Sequence, residues 1–187
     1  VNAALKTFDK NLSHRGPDDF GETIIQADNK YIGFAHRRLS ILDLSSNGKQ
    51  PMLDSVSANI IVFNGEIYNF SLLQNELKSL GETFNSNSDT EILLKGYRVW
   101  GIEKLLKKIN GMFSFCIWDN SLRQLIIVRD PLGIKPLYFF NDEDTFICAS
   151  EVKSIINSRI VSNTLDVQSI DSFLAYGSIQ PPRTIYA

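Results

Sequence analysis

The sequence predicts an α+β fold in which antiparallel sheet packs against helices. Several apolar stretches in the second half of the chain are separated only by short turn sequences. Strands joined by such turns must pair antiparallel, because a parallel connection needs a long crossover. Elsewhere, apolar residues recur with helical spacing. No glycine-rich phosphate-binding motif follows any predicted strand, so a doubly wound nucleotide-binding fold is not expected.

Amphipathic helices are predicted mainly in the first half of the chain. Apolar residues at helical spacing predict a helix over residues 3–12. A second helix is predicted in NFSLLQNELKSLG, where Gly81 suits a left-handed C-cap. A third helix begins at SDTE, because Ser88 and Glu91 have the S-x-x-E spacing of a capping box, and it stops at Gly101. Shorter helices are predicted over residues 103–109, 151–157 and 167–175.

The strands are predicted from alternating or continuous apolar runs bounded by turn formers. GETIIQ and YIGFAHRRLSIL flank the turn-like ADNK and predict a β-hairpin. After the turn-rich DLSSNGKQPML, the apolar run over residues 59–63 predicts another strand. The stretches MFSFCIWD, QLIIVRD, PLYFF and TFICAS then predict a four-stranded β-meander.

Composition excludes several classes of protein. The 187 residues are 43% hydrophobic, which is enough to fill the core of one domain. Nineteen Lys and Arg nearly balance 21 Asp and Glu without a basic run, so no nucleic-acid partner is expected. No apolar run could span a membrane, and the amino terminus lacks a signal-peptide layout, which favours a cytoplasmic protein. Two cysteines without a C-x-x-C pair, and two histidines, predict no metal site.

The stretch VFNGEIYNF contains an unusual polar tripeptide, Asn64-Gly65-Glu66, after the predicted strand and before a predicted helix. A glycine there can present its backbone N–H to a bound group, and the asparagine amide can donate a second hydrogen bond. Two converging donors form an oxyanion hole. An ordinary turn is the competing interpretation, because Asn-Gly is a common turn dipeptide.

Several charged residues have equally open roles when taken alone. Arg38, at the end of an apolar strand, suits bidentate capture of a carboxylate but could also be a solvated surface arginine. Asp89 could bind an ammonium group or only complement the dipole of its helix. His14 and His36 lie beside arginines and are interpreted as structural hydrogen-bonding residues.

The cysteines and a charged pair near the end of a strand are interpreted as structural. Cys116 alternates with phenylalanines in a core-like strand, and Cys148 lies in the apolar TFICAS, so both are expected to be inert buried thiols. Arg129 and Asp130 are expected to form an ion pair or to clamp a turn.

Seven stretches together resemble one family. HRGPDDFGE, AHRRLSILDLS, FNGEIYNF, SDTEILL, GMFSFCIWD, RDPLGIKPLYF and ASEVKSI occur in the order and approximate spacing of the glutamine amidotransferase domain of glutamine-hydrolysing asparagine synthetases. The resemblance covers the chain from about Leu5 to its end. Other class II amidotransferases share H-R-G and N-G, but RRLSILDLS and RDPLGIKPLYF are similar to the asparagine synthetase branch.

This resemblance implies an N-terminal-nucleophile hydrolase fold, a four-layer α/β/β/α sandwich with two mainly antiparallel sheets. It also implies a site for L-glutamine. By position, Asn64 and Gly65 match the oxyanion hole, and Glu66 and Asp89 match the residues that bind the substrate's α-amino group. The α-carboxylate is expected on Arg38, and the next residues line the site with backbone groups: Leu39, Ser40, Ile41 and Leu42.

The resemblance also defines what these residues lack. The family's nucleophile is an N-terminal cysteine on a short first strand, and no cysteine precedes Cys116 here. Residues 1–187 are therefore expected to be a glutaminase domain without its first strand, inactive as written. The domain itself needs no cofactor. Its expected partner is the carboxyl-terminal synthetase domain of the same parent chain, absent here, which uses ATP and magnesium to amidate aspartate.

Three alternatives stay open. The chain could be a non-catalytic module that binds glutamine or scaffolds a partner, keeping Arg38, Asn64 and Asp89 for recognition. It could belong to an amidotransferase with a sugar or peptide acceptor, because the acceptor is chosen outside this domain. It could also be an unrelated thiol hydrolase that uses Cys116.

Overall fold

The computed structural model describes residues 1–39 and 45–187, which form two compact units, Val1–Leu137 and Tyr138–Ala187. The predicted site residues Ser40, Ile41 and Leu42 lie outside the described residues. Within the described residues, no helix is both long and apolar enough to cross a bilayer.

The amino-terminal unit contains two antiparallel sheets. The elements of this unit are α1 (Asn2–Leu12), β1 (Asp19–Ala27), β2 (Lys30–Arg38), β3 (Met52–Leu53), β4 (Ile60–Ile67), α2 (Phe70–Ser79), α3 (Asp89–Lys108), β5 (Gly111–Asp119) and β6 (Gln124–Arg129). One sheet is the predicted hairpin of β1 and β2, and the other has the strand order β3-β4-β5-β6.

The main core lies between the four-stranded sheet and helices α2 and α3. Successive side chains of a strand point to opposite faces, so alternate residues of β4 and β5 pack against the helices. On the other side of the sheet β2 contacts β4, and α1 packs on β2. The layers of this unit therefore run helix, sheet, sheet, helix, and the predicted α+β class with antiparallel sheets is confirmed. The core comprises Ile61, Phe63, Ile67, Phe113, Phe115 and Ile117 from the sheet and Leu73, Leu77, Ile92, Leu93, Leu94, Tyr97 and Leu105 from the helices.

The helix ends follow the sequence except at one residue. Gly81 has a φ of 93° and closes α2 with paired C-terminal hydrogen bonds. Gly101, at a φ of 74°, interrupts α3 where the helix was expected to stop. Ser88 caps α3 by accepting from the backbone N–H of Thr90. The full capping box is wrong, because the Glu91 carboxylate instead accepts hydrogen bonds from the loop before the helix.

The tripeptide Asn64-Gly65-Glu66 lies inside a strand. Strand β4 was expected to end at Phe63, but it continues through Ile67 and pairs with β5 along its whole length. The turn interpretation of Asn-Gly is therefore wrong. Pairing with a distant strand overrides the local turn preference.

The carboxyl-terminal unit contains β7 (Tyr138–Asn141), β8 (Phe146–Ala149), α4 (Val152–Asn157) and α5 (Val167–Tyr176). Strands β7 and β8 form an antiparallel two-stranded sheet of their own, whereas β5 and β6 belong to the four-stranded sheet. The predicted single meander of four strands is therefore wrong within the described residues. The segment after β6 is folded into a fixed turn instead of a tight hairpin.

Arg129 and Asp130 build that turn. The Arg129 guanidinium donates to the carbonyl oxygens of Lys135 and Gly133, both at 2.7 Å. The buried Asp130 carboxylate accepts from the backbone N–H groups of Ile134 at 2.9 Å and Lys135 at 3.0 Å. It also accepts from Phe113 at 3.3 Å, which ties the turn to β5. The pair acts as the predicted turn clamp.

Replacing Asp130 with alanine is expected to lower the free energy of unfolding by about 2–3 kcal/mol, because buried backbone donors lose their acceptor. Urea denaturation measures the change. Asp142→Ala is the matched control, since Asp142 accepts from the N–H groups of Asp144 and Thr145 in an exposed turn. The control should cost less than about 1 kcal/mol. Equal losses in the two variants would show that the Asp130 turn is not a special clamp.

Candidate functional site

The candidate site lies along one edge of strand β4. In an antiparallel pair, alternate residues direct their N–H and C=O groups toward the neighbouring strand and away from it. The short β3 pairs only with Ile60 and Ile61. Beyond it, the backbone groups of Phe63, Gly65 and Ile67 point away from β5, along an edge that β3 does not cover.

Side chains cap this edge at Phe63. The Gln50 side chain accepts from the Phe63 N–H at 2.6 Å and donates to the Phe63 carbonyl at 3.2 Å. The His36 Nε2 donates to the same carbonyl at 3.0 Å, which fixes its tautomer because a carbonyl oxygen can only accept. Burial is the main reason that the pKa of His36 falls to about 4, and the nearby Arg38 lowers it further. His36 is thus a neutral donor, which agrees with the structural hydrogen-bonding role predicted for it.

A carboxylate caps the edge at Ile67. The side chain of Asp89, in the first turn of α3, accepts from the Ile67 N–H at 3.1 Å. Asp89 is only 6% exposed, and its charge is close enough to Glu66 for the two carboxylates to repel. Burial, followed by this repulsion, raises the pKa of Asp89 to about 6, although hydrogen bonds from the Ile67 and Thr90 backbones oppose the rise. A cation bound beside the two carboxylates would relieve the repulsion.

Gly65 lies between these two caps. Within the ranges 1–39 and 45–187, no group is found bonded to its N–H, which lies on the uncovered edge. A Cβ at this position would collide with the Met112 carbonyl oxygen and come within 2.7 Å of the Phe113 Cα. Only glycine fits so close to β5, and its backbone donor stays available for a ligand oxygen. This is the geometry required of one oxyanion donor.

Asn64 and Glu66 share the face of β4 that is turned away from α2 and α3. Asn64 is opposite Ser114 and Glu66 is opposite Met112 in the register with β5, and both residues of β4 are half-buried. This face is the one that β2 contacts. The Asn64 side chain therefore lies beside the Gly65 N–H, on the face of β4 that packs against the β1–β2 hairpin.

Arg38 ends β2 on the same face as His36. Its guanidinium donates to the Ser45 carbonyl at 2.9 Å and packs against Gly48. The preceding Arg37 points the other way, forms an ion pair with Asp9 and stacks on the ring of Phe20. Because side chains alternate along β2, Arg37 points toward α1 and Arg38 points to the face of β2 that contacts β4.

The structure brings four of the predicted site residues together and places Arg38 and Leu39 farther along the chain of contacts. Glu66 lies near enough to Asp89 for their charges to repel, and Asn64 and Gly65 precede Glu66 in β4. Arg38 ends the strand that carries His36, whose ring binds the Phe63 carbonyl, and its guanidinium binds the Ser45 carbonyl in the loop that leads to Gln50. Leu39 is 58% exposed.

Sequence reasoning missed Gln50 entirely. Gln50 lies in a segment of turn formers and matches no motif. Its buried amide nevertheless contacts both β4 and Thr90 of α3, with 3.1 Å between Nε2 and Thr90 Oγ1. A polar side chain that replaces a strand neighbour leaves no periodic pattern, so no signal in the sequence could have revealed this role.

Two cavities lie outside this group of residues. A polar cavity of about 410 Å³ is close to it, because its lining includes Ser45, which binds Arg38, and Ser86, which precedes α3. A second cavity of about 250 Å³ is lined by β1, β3, β4 and β5 residues. None of Arg38, Asn64, Gly65, Glu66 or Asp89 lines either cavity. The candidate site is therefore defined by its hydrogen-bond donors and charged groups and not by a cavity.

The thiols lie away from the uncovered edge or in the other unit. Cys116 is 6% exposed within β5, as predicted, but the prediction of burial is wrong for Cys148, which is only half-buried in β8. Its burial argues against Cys116 as a nucleophile. Among the residues that the structure describes, no group of three His, Cys, Asp or Glu side chains could hold a metal ion.

Asp89→Asn is expected to raise the free energy of unfolding at pH 8 by about 2 kcal/mol. The folded-state pKa of Asp89, about 6, lies above the usual value of 3.8. The folded state therefore holds the proton between these values, and the contribution of Asp89 to stability falls as the pH rises from about 4 to about 6. Asparagine stays neutral and can still accept from Ile67.

Denaturation of parent and variant from pH 4 to pH 8 measures this difference. Asp171→Asn, on an exposed face of α5, is the control and should leave the profile unchanged. A variant that is less stable than the parent at pH 8 would contradict the assigned cost of burying the Asp89 charge.

The chain is similar to known proteins over its whole length. The protein-family model described as a glutamine amidotransferase domain matches residues 1–187. The glutamine-hydrolyzing asparagine synthetase 1 of Bacillus subtilis is 38% identical over 185 residues, which cover 98% of this chain and 28% of that protein. A putative glutamine-hydrolyzing asparagine synthetase 2 of Methanocaldococcus jannaschii is 36% identical over 202 residues, covering 100% of this chain and 38% of that protein.

A solved structure supports the fold. The glutamine phosphoribosylpyrophosphate amidotransferase of B. subtilis superposes with a TM-score of 0.68 at 20% sequence identity, over 84% of this chain and 41% of that one. At this identity the likeness concerns the fold alone. The chain spans 28% and 38% of the length of the two curated relatives.

Proposed function

The chain belongs to the family of glutamine amidotransferase domains, and on this premise we propose that it is the glutaminase domain of a glutamine-hydrolysing asparagine synthetase. In this role it binds L-glutamine and supports its hydrolysis to glutamate and ammonia. The observation that carries the proposal is the edge of β4. There the Gly65 N–H lies uncovered between the capped Phe63 and the Asp89-bound Ile67, with Glu66 beside it.

Each part of glutamine has a complementary group in this arrangement. The α-carboxylate is assigned to the Arg38 guanidinium, which can donate two parallel hydrogen bonds. The α-ammonium is assigned to Glu66 and Asp89, whose mutual repulsion it relieves. The side-chain amide oxygen is assigned to the Gly65 N–H and the Asn64 amide. Holding both charged ends fixes the distance at which the amide carbon is presented.

These donors act on the charge that forms during hydrolysis. Attack by a thiolate forms a C–S bond and moves the electrons of the amide C=O bond onto its oxygen, which becomes negative. Asn64 and Gly65 stabilise that oxygen. The C–N bond then breaks, ammonia leaves after the nitrogen gains a proton, and water hydrolyses the thioester to glutamate. Because Cys116 is buried, we assign two roles to these 187 residues, namely recognition of glutamine and stabilisation of the oxyanion.

The proposal extends to the partner of the domain. The curated relatives are far longer than the matched region, and their names are those of glutamine-hydrolyzing asparagine synthetases. We therefore propose that ammonia passes to a synthetase domain that activates aspartate with ATP and magnesium. No residue of this chain is assigned to ATP or magnesium.

A glutamine-binding module without turnover is the second candidate, and the burial of Cys116 favours it. The decisive experiment uses the protein expressed from its complete reading frame. Glutaminase activity is shown by equal amounts of glutamate and ammonia formed from glutamine. Glutamine that binds but is recovered unchanged would support the binding module, and absence of both binding and turnover would contradict both candidates.

A further inference from the structure

Gln50 occupies the position of a missing strand neighbour. Strand β3 begins at Met52 opposite Ile61, so its backbone pairing stops two residues short of Phe63, at the position that the register would give to Gln50. The Gln50 side-chain amide supplies both an acceptor at 2.6 Å and a donor at 3.2 Å to the Phe63 backbone. These are the two bonds that a paired residue of a neighbouring strand would make.

A side chain can satisfy the backbone groups of only one residue, whereas a neighbouring strand would pair with several residues in succession along the edge of β4. A longer strand at this edge would also pair with Gly65 and occupy its N–H. Because Gln50 satisfies Phe63 alone, the next outward-facing donor, on Gly65, is left available. The replacement of a strand by a side chain therefore has a consequence for the oxyanion site.

The same amide fixes the start of α3. The second hydrogen of Gln50 Nε2 is directed at Thr90 Oγ1, at 3.1 Å. Thr90 follows Asp89 in sequence, as Asn64 follows Phe63. Gln50 and Thr90 are 7% and 2% exposed, so water does not compete for these bonds. The buried Gln50 amide thus connects Phe63, which precedes Asn64 and Gly65, to Thr90, which follows Asp89.

We propose that Gln50 is a positioning residue for glutamine hydrolysis, which holds Asn64 and Gly65 at a fixed distance from Asp89. His36 supports it by donating to the Phe63 carbonyl from the side of β2. The inference rests on the proposed function, because it assigns to Gln50 the alignment of the amide-binding and ammonium-binding parts of that site. Gln50 touches neither end of the substrate in this assignment.

A double-mutant cycle on kcat tests this role in the protein expressed from its complete reading frame. Gln50→Leu, Asn64→Ala and the double variant are compared with the parent at saturating glutamine. If Gln50 acts through the oxyanion donors, Gln50→Leu lowers kcat about 10-fold in the parent background. It should change kcat by less than about twofold when Asn64 is already alanine. Gln168→Leu, on the exposed surface of α5, is the matched control and should leave kcat unchanged.

Additive losses in the cycle, or an unchanged kcat in Gln50→Leu, would overturn the proposal. If Gln50→Leu does not fold, Thr90→Val removes only the hydroxyl acceptor and keeps the shape of the side chain. An increase in KM of about fivefold then supports the link to Asp89, and an unchanged KM overturns it. A parent that releases no glutamate would instead contradict the proposed function itself.

Discussion

Asn64→Ala is expected to lower kcat for glutamine hydrolysis by about 10²–10³-fold, the loss typical of removing one oxyanion donor. KM should change far less, because the carboxylate and ammonium of the substrate keep their partners. The measurement is glutamate release by the protein expressed from its complete reading frame, at saturating glutamine. Thermal denaturation of the same sample shows that the variant is folded.

Asn120→Ala is the matched control for this change. Asn120 follows the end of β5 farthest from Ser114, and it is exposed. Its replacement should leave kcat within about twofold of the parent. If Asn64→Ala raised KM and left kcat unchanged, Asn64 would bind the ground state and not the oxyanion.

Arg38→Ala is expected to weaken the binding of L-glutamine by about 10- to 100-fold, because the substrate carboxylate loses charged donors. Isothermal titration calorimetry with glutamine measures the change in Kd. The physical reason is specific to Arg38, whose side chain is on the face of β2 that also carries His36.

The neighbouring arginine provides an unusually close control. Arg37→Ala removes a charge of the same sign one residue away, but its guanidinium binds Asp9 and stacks on Phe20. It should cost stability and leave Kd within about twofold of the parent. Equal weakening by both variants would mean that glutamine senses only the general positive charge of β2.

The sequence predicted the helices and their ends better than it predicted which strands pair with each other. The apolar spacing of α1 and the glycines that end α2 and interrupt α3 are local signals, and the structure confirms them. The extension of β4 through Asn64-Gly65-Glu66 depends on pairing with β5, more than 40 residues later in the register. No local pattern could report that pairing, and the local pattern that was present favoured a turn.

Side chains that bind distant backbone were the hardest to predict. Ser88 caps α3 as its spacing suggested, but Glu91 binds the Ser86 N–H at 2.8 Å and hydroxyl at 2.6 Å. That choice depends on how the preceding loop folds back over the helix. Gln50 is the extreme case, because its partners Phe63 and Thr90 are 13 and 40 residues away.

The resemblance of the motifs supplied the roles that local chemistry left open. Arg38 and Asp89 each had an ordinary surface or helix-end interpretation. The structure adds that Asp89 is buried against the end of β4 and repelled by Glu66, which is more than complementing a helix dipole requires. For Ser40, Ile41 and Leu42 the roles stay predictions, since they lie outside the described residues.

A crystal structure of the protein with bound L-glutamine would test the central claim most directly. The proposed arrangement predicts the α-carboxylate on Arg38 and the α-ammonium between Glu66 and Asp89. The amide oxygen should lie about 2.7–3.1 Å from the Gly65 N. Glutamine bound instead in the polar cavity beside Ser86, or with its amide turned away from Gly65, would contradict it.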